Sequence, residues 1–219
     1  MDSTPQIVKV NTVLYGVLMT LRLTAQDWID FALTTLAREG VEALKADVLA
    51  RKLGVSRGSF YWHFSDLDTF HAQVIEHWKQ MATEAIIADL ERYDSVEERL
   101  EALARHGFGH DAVLEIRMRA WADNNAEAAR VLSGIDRRRR AYLEQMLADA
   151  GIAPSLAATR AQLVYWAYLG AALSRSKLTG ERLDRIVAEL KRIALGGLPG
   201  RPVAIEDSRS RRLPRRQRG

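Results

Sequence analysis

The 219-residue sequence contains no cysteine, and this absence excludes several kinds of chemistry. Without thiols, the chain has no disulfide framework, no thiolate nucleophile and no cysteine-ligated zinc. Nothing argues for an oxidising compartment, so we expect a cytoplasmic protein. The length allows one large domain, or a small domain and a larger one, with a substantial hydrophobic core.

Long hydrophobic runs are also missing. The longest apolar stretch, residues 13–21, has nine residues and includes Gly16 and Thr20, whereas a membrane-spanning helix needs about 20. Residues 1–23 supply the charged start, apolar centre and cleavage site of a secretory signal poorly. The sequence therefore predicts neither a membrane partner nor export.

Positive charge is in excess, but its position matters more than its size. The net charge is +4, and residues 201–219 alone carry seven arginines against two acidic residues. A smaller basic segment, residues 45–64, has four cations and one acidic residue, Asp47. The cations are Lys45, Arg51, Lys52 and Arg57. We expect this segment to meet a phosphate backbone.

Apolar residues recur at helical spacing along most of the chain, and no segment shows convincing strand alternation. The fold class is therefore predicted to be all-α. Beyond the first four helices, the predicted helices cover residues 96–106, 112–122, 126–150, 156–176 and 181–195.

Three short helices are predicted close together near the N-terminus. Thr24 caps the first, which Gly40 ends. The second begins at Lys45 and stops at Gly54, and Ser56 caps the third. Two short helices joined by a glycine turn are typical of a helix-turn-helix, whose second helix enters the major groove.

A long fourth helix follows. Ser65 and Asp68 have the spacing of a capping box, and the helix continues towards Leu90. Its predicted apolar face carries Phe70, Val74, Trp78 and Met81.

The start of the third helix is the part that would reach base edges. Arg57 could contact guanine O6 and N7, and Gly58 would allow close approach of the backbone. Tyr61 and Trp62 could instead belong to the core. A structural helix-turn-helix that touches no DNA is the alternative at this point.

With the quartet Tyr61-Trp62-His63-Phe64, these residues resemble the TetR family of bacterial regulators. The resemblance runs from about Leu23 through the fourth helix, and more weakly into the C-terminal part. It rests on Gly40, Leu49, Ala50, Gly54, Val55, Ser56, Phe60, Tyr61 and Phe64. It implies that Tyr61 and His63 contact phosphates and that Arg57, Gly58 and Ser59 face the bases. The predicted DNA-binding residues are Lys45, Ser56, Arg57, Gly58, Ser59, Tyr61, Trp62 and His63.

Two positions depart from the family pattern. Leu67, between Asp66 and Asp68, stands where the family commonly has a lysine, so one phosphate contact is expected to be missing. Lys45 stands where the family often has threonine, and its cation could reach a phosphate although it opposes the helix dipole.

The resemblance also implies a domain organisation. A three-helix DNA-binding domain, residues 24–70, precedes a helical ligand-binding and dimerisation domain, residues 71–198. Residues 1–23 are interpreted as an arm, and residues 199–219 as a basic tail with the composition of a disordered segment.

The implied function is a repressor that binds a palindromic operator in double-stranded DNA as a homodimer and is released by a small-molecule inducer. An activator is the alternative. The aromatic candidates for the inducer site are Trp78, Phe108, Trp121, Tyr165, Trp166 and Tyr168. Most aromatic residues at helical spacing are core residues, so each also fits a structural role.

The resemblance implies that the last two long helices pair with their copies in a four-helix bundle. An apolar stripe on the final helix suits that pairing. It comprises Leu183, Ile186, Val187, Leu190, Ile193 and Ala194. Packing within the same chain is an equally good interpretation of this stripe.

Two other functions are alternatives to a DNA-binding regulator. His106 and His110 have the spacing of metal ligands, but Gly107 and Gly109 disfavour a helix there and only Asp111 offers a third ligand. An enzyme built on these residues would also lack a phosphate loop, a nucleophile motif and a carboxylate pair, so neither metal nor cofactor is expected.

The second rival is a nonspecific DNA-binding protein that uses the arginine-rich tail. Another basic run, residues 137–140, is expected to spread around its helix as a mostly solvated face.

Overall fold

The computed structural model describes residues 23–174 and 178–196. Within these ranges all regular secondary structure is helical and no strand is present, which confirms the all-α prediction. The basic tail and, apart from Leu23, the N-terminal arm lie outside the described residues.

Ten α-helices occupy the described ranges. They are α1 (Ala25–Glu39), α2 (Ala46–Leu53), α3 (Arg57–His63), α4 (Leu67–Lys79), α5 (Ala85–Leu90), α6 (Val96–Gly109), α7 (Val113–Ala122), α8 (Ala126–Asp149), α9 (Pro154–Leu173) and α10 (Gly180–Leu195). A 3-10 turn, Val41–Ala43, follows α1, and a π-helical turn, Gln80–Glu84, joins α4 to α5. None of these helices combines the length and apolar character needed to span a bilayer.

The predicted cap of α1 is confirmed. The Asp27 N–H donates to Thr24 Oγ1 at 3.2 Å, and the Thr24 N–H donates to Asp27 Oδ2 at 2.7 Å. Ser56 occupies the predicted N-cap position of α3, but its side chain makes no capping hydrogen bond. The start of α4 also differs, since the N-cap is Asp66, whose carboxylate accepts the Thr69 N–H at 2.7 Å.

The π turn changes which side of the long fourth helix faces inward. Phe70, Val74 and Trp78 are buried as predicted, but Met81 is 39% exposed and Thr83 is buried instead. A π turn holds an additional residue, so the next fully buried position, Thr83, comes five residues after Trp78, while Ala82 beside it packs against the core at partial burial. The prediction for Met81 was wrong because it assumed an uninterrupted α-helix.

The chain folds into two compact units. Of the described residues, the first unit combines residues 23–86 with Asp111–Asp136, and the second combines Ile87–His110 with residues 137–174 and 178–196. The predicted domain boundary at residue 70 lies inside α4. The division into DNA-binding and ligand-binding functions therefore stays a prediction that packing alone does not test.

The first unit contains an ion network on α7 and the first part of α8. Arg119 donates to Glu115 at 2.9 Å and to Asp136 at 2.8 Å. Glu115 is buried, and a buried carboxylate is tolerated when a cation and hydrogen bonds accompany it. This network ties α8 to α7 within the unit.

In the second unit, α6 packs closely against α9 and α10. A Cβ on Gly107 would lie 3.1 Å from the Tyr168 ring, and one on Gly109 would lie 3.1 Å from Leu183. The glycines therefore make room for neighbouring helices, and α6 continues through Gly109 rather than ending near His106 as predicted.

The stripe on α10 serves this packing within the chain. Val187, Leu190 and Ala194 are buried in the core of the second unit, while Ile193 is exposed. The final helix thus uses most of its apolar face inside its own unit.

The basic run on α8 is only partly solvated. Arg137 and Arg138 are exposed, but the Arg139 guanidinium lies 5.8 Å from the centre of the Tyr168 ring. Arg140 donates to Gln162 at 2.8 Å. The prediction of a solvated face was wrong for these two arginines, because α9 packs beside them.

We expect Gly54→Ala to lower the free energy of unfolding by about 1–2 kcal/mol, because Gly54 has a φ of +69° and a Cβ is disfavoured in left-handed backbone. No atom lies within 4 Å of the added Cβ, so the loss reports backbone strain alone. Urea denaturation measures it. The control Gly58→Ala lies in helical backbone, and we expect it to leave stability unchanged or raise it by up to about 1 kcal/mol. Equal losses in both variants would contradict the interpretation.

Candidate nucleic-acid interface

Helix α3 is held in place by one buried side chain. Phe60 is fully buried, with its ring 5.4 Å from that of Trp28, 5.1 Å from that of Phe64 and 5.0 Å from that of Phe70. Edge-to-face and tilted contacts of this kind are favourable beyond the area they bury. The aromatic cluster of these four residues fixes α3 against α1 and α4.

The opposite side of α3 faces solvent. Arg57 and Gly58 are exposed, and Tyr61 and Trp62 are 45% and 69% exposed. The alternative that Tyr61 and Trp62 are core residues was therefore wrong. Ser59 and His63 are half-buried at the edges of this surface. The outward side chains of α3 form what we call the recognition surface: Arg57, Gly58, Ser59, Tyr61, Trp62 and His63.

The turn before α3 has the predicted chemistry. Gly54 is left-handed, with φ +69° and ψ +25°, and its N–H donates to backbone carbonyls at the end of α2. The Val55 N–H donates to the Ala50 carbonyl at 3.0 Å, and the Val55 side chain packs against the core. These contacts end α2 and set the direction in which α3 leaves.

Two side chains of the recognition surface are bonded to each other. Arg57 Nη2 donates to the Tyr61 hydroxyl at 3.0 Å, and the guanidinium carbon lies 5.3 Å from the centre of the Tyr61 ring. The hydrogen bond to Tyr61 raises the pKa of Arg57, so its positive charge is retained. This bond uses one of the five N–H groups of Arg57.

Carboxylates lie beside two of the cations in the basic segment, residues 45–64. Lys45, exposed at the N-cap of α2, is 3.7 Å from Glu42, and Lys52 is paired with Glu39. At the start of α4, the backbone hydrogen bond from Thr69 lowers the pKa of Asp66. Local positive charge is thus smaller than the residue count suggests.

His71, on α4, contacts both the residue before the N-cap of α2 and a tryptophan of α7 inside the first unit. His71 Nε2 donates to the Leu44 carbonyl at 3.0 Å, just before α2. Its ring meets the Trp121 ring edge-on, with centres 5.0 Å apart. Sequence reasoning missed this contact, because nothing in local spacing pairs residues so far apart.

The six aromatic ligand candidates fall in different places. Trp78 and Trp121 are buried in the core of the first unit. Phe108 and Tyr165 are buried in the core of the second, with Tyr168 packed against it. Trp166 is 60% exposed on α9. Within the second unit, the rings of Tyr165 and Tyr168 lie 5.9 Å apart.

The two histidines do come together, at the end of α6, where His110 is the C-cap. The rings of His106 and His110 are 4.5 Å apart, and the His106 carbonyl accepts a hydrogen bond from His110 Nδ1 at 3.0 Å. Burial, followed by the nearby His110 and Arg139, lowers the pKa of His106 to about 4. Among the described residues, no group of three His, Cys, Asp or Glu is placed to hold a metal.

Comparison with known proteins supports the helix-turn-helix. The family model described as "Bacterial regulatory proteins, tetR family" matches residues 29–68. The transcriptional regulator SrpR of Pseudomonas putida is 48% identical over 42 residues, which are 19% of this chain and 20% of SrpR. The curated match thus spans a fifth of that relative's length.

Solved structures resemble the fold over most of the chain, beyond the helix-turn-helix. A transcriptional regulator from Rhodococcus sp. Rha1 has a TM-score of 0.67 at 21% identity, covering 80% of this chain and 97% of that one. FadR of Bacillus subtilis, solved in complex with stearoyl-CoA, has a TM-score of 0.56 at 15% identity, covering 78% and 97%. These relatives and neighbours are described as transcriptional regulators rather than enzymes.

We expect the protein to lose stability as the pH falls from 6.5 towards 4, because unfolded His106 binds a proton that folded His106 refuses. The loss should be on the order of 2–3 kcal/mol, since one pKa unit corresponds to about 1.4 kcal/mol. Urea denaturation across this range, with His106→Gln for comparison, isolates the contribution. The control His110→Gln should keep most of the pH dependence, because burial is the larger cause. An unchanged slope in His106→Gln would refute the assignment.

Proposed function

We propose that the chain is a transcriptional regulator of the TetR family that binds double-stranded DNA through α3, with support from the family match over residues 29–68. One observation carries the proposal: α3 is anchored by Phe60 on one side and presents Arg57, Tyr61 and Trp62 to solvent on the other. Exposed aromatic and basic side chains on a rigid helix are suited to DNA rather than to a protein core.

The size of α3 fits the major groove. An α-helix is about 10–12 Å in diameter with its side chains, and the major groove of B-DNA is about 12 Å wide, so α3 can lie within it. In this pose Gly58 and Ser59 face base edges, while Tyr61, His63 and Lys45 reach phosphates. Leu67 packs against the core next to ionised Asp66, so the phosphate contact that a lysine would make at the start of α4 is absent from the proposed interface.

We propose that α9 supplies the homodimer interface that a palindromic operator requires. Positions spaced alternately by three and four residues are all exposed along α9, and large apolar side chains dominate them. They are Leu156, Thr159, Leu163, Trp166, Gly170 and Leu173. Such spacing puts the six positions on one helical face, and an exposed apolar face of this length needs a partner. A second copy of α9, running antiparallel, presents the matching face.

Release by a small-molecule inducer completes the proposal, with the protein acting as a repressor in the cytoplasm. Its support is the likeness of fold to FadR of Bacillus subtilis, which was solved with stearoyl-CoA, and the aromatic residues inside both units. The ligand of this chain is left open, since apolar pockets accept many molecules. An activator differs only in what the bound dimer does to transcription.

We expect the protein to select a palindromic sequence from a randomised DNA library and to bind it more tightly than random duplex. Lys45→Gln should weaken binding to both duplexes similarly and reduce the slope of log K against log salt by about 0.9, since one phosphate contact is lost. Fluorescence anisotropy at about 50 and about 200 mM salt measures both effects.

The matched control for this experiment is Lys79→Gln, which removes the same charge about 18 Å along α4 from its start. It should leave affinity and slope unchanged. Selection of no sequence would refute the regulator, and equal affinity for random duplex would favour the nonspecific DNA-binding alternative.

We expect Leu163→Arg to convert the dimer to a monomer, because two copies of an uncompensated cation would be buried at the apolar contact. Sedimentation velocity measures the oligomeric state. Tyr93→Arg places the same charge on another exposed apolar residue, before α6, and should remain dimeric. A dimer that survives Leu163→Arg would exclude α9 as the interface.

A further inference from the structure

We propose that Arg57 and Tyr61 act as a single phosphate-binding unit, in which Arg57 is a positioning residue for the Tyr61 hydroxyl. This inference rests on the proposed DNA-binding function and refines it. It differs from the base-reading role that the family resemblance implies for Arg57, and it makes a different prediction for sequence specificity.

The geometry of the free protein already contains the unit. Arg57 and Tyr61 are one helical turn apart on α3, so their side chains lie on the same face. Arg57 Nη2 donates to the Tyr61 hydroxyl at 3.0 Å, and the guanidinium packs over the Tyr61 ring at 5.3 Å. Both a hydrogen bond and a cation–π contact therefore hold the arginine against the tyrosine.

The donors and acceptors of the Tyr61 hydroxyl determine which further group it can bind. A phenol hydroxyl has one proton to donate, and Arg57 occupies an acceptor site on its oxygen. The Tyr61 proton is left to donate to another group. Phosphate oxygens accept hydrogen bonds and do not donate them, so they match this requirement. Donation from Arg57 also polarises the hydroxyl and strengthens the bond it makes in turn.

The same pairing brings charge to the phosphate. The Arg57 guanidinium stays protonated, and four of its five N–H groups are not engaged by the Tyr61 hydroxyl. A phosphate that accepts the Tyr61 proton therefore lies beside a cation. Electrostatic attraction to the DNA backbone is independent of sequence, so this unit contributes affinity and register.

Reading guanine would require Arg57 to leave the tyrosine. A bidentate contact to guanine O6 and N7 needs the planar fork extended towards the base edge. That arrangement gives up both the hydrogen bond and the ring contact. The folded arginine instead leaves the bases to the remaining residues of the recognition surface.

The test is a double-mutant cycle with Arg57→Ala, Tyr61→Phe and the combined variant. Affinity is measured by anisotropy for the duplex that the wild-type protein selects from a randomised library, and for each of its single-base-pair variants. Arg38→Ala serves as the control, since it removes an exposed arginine from the last turn of α1. Thermal unfolding of every variant reports the fold, which neither exposed side chain is expected to affect.

Each single variant should weaken binding about tenfold, as expected for loss of a charge-assisted hydrogen bond. The combined variant should be weaker than either single variant by about twofold or less, because both changes remove the same unit. Arg57→Ala should weaken binding equally for the selected duplex and all its variants. Arg38→Ala should bind as the wild type does.

Two results would overturn this inference without contradicting the proposed DNA-binding function. The first is an additive cycle, with the combined variant about a hundredfold weaker. The second is a loss in Arg57→Ala that disappears when one G·C pair is changed, which is the signature of base reading. If the wild-type protein selects no sequence, the proposed function and this inference both fail.

Discussion

The contact on which the candidate interface depends is the burial of Phe60 among Trp28, Phe64 and Phe70. A helix of seven residues is too short to be stable by itself in water, where isolated helices need roughly 12–15 residues. Tertiary packing must therefore supply the order of α3. This aromatic cluster positions every outward side chain on α3, so packing in the core sets the geometry of the proposed DNA contact.

Charge has a smaller part in the interface than composition suggests. The net positive charge of the chain is concentrated in residues 201–219, and the cations Lys45 and Lys52 lie next to glutamates. Exposed ion pairs of this kind are worth about 0–1 kcal/mol, so they reduce the local potential without adding much stability. Specific geometry at α3, including the bonded pair Arg57 and Tyr61, must then compensate for a modest electrostatic field.

Local features were predictable from sequence. Gly54 ends α2 because a left-handed residue was required, and the capping pair Thr24 and Asp27 begins α1 because their spacing permits reciprocal hydrogen bonds. Such features need only a few neighbouring residues. The exposed face of α3 was predicted only as one of two alternatives, since Tyr61 and Trp62 were also candidates for the core.

Features that depend on distant partners were not predictable. The contact of His71 with Trp121 joins α7 to α4 within the first unit, and the two residues are fifty positions apart. Likewise, α10 buries its stripe within its own unit while α9 leaves Leu163 and Trp166 exposed. Both helices looked apolar, and only packing distinguishes them.

The π turn at Gln80–Glu84 has a consequence for how this chain is compared with others. If a relative has an uninterrupted α-helix here, its buried positions fall one residue out of phase with those of this chain after Trp78. A one-residue gap placed in the relative's sequence at this turn restores the correspondence and aligns Thr83 with a core position of the relative. An alignment without this gap would pair surface residues of one chain with core residues of the other along the rest of the helix. The sequence identity between the two chains would then be underestimated.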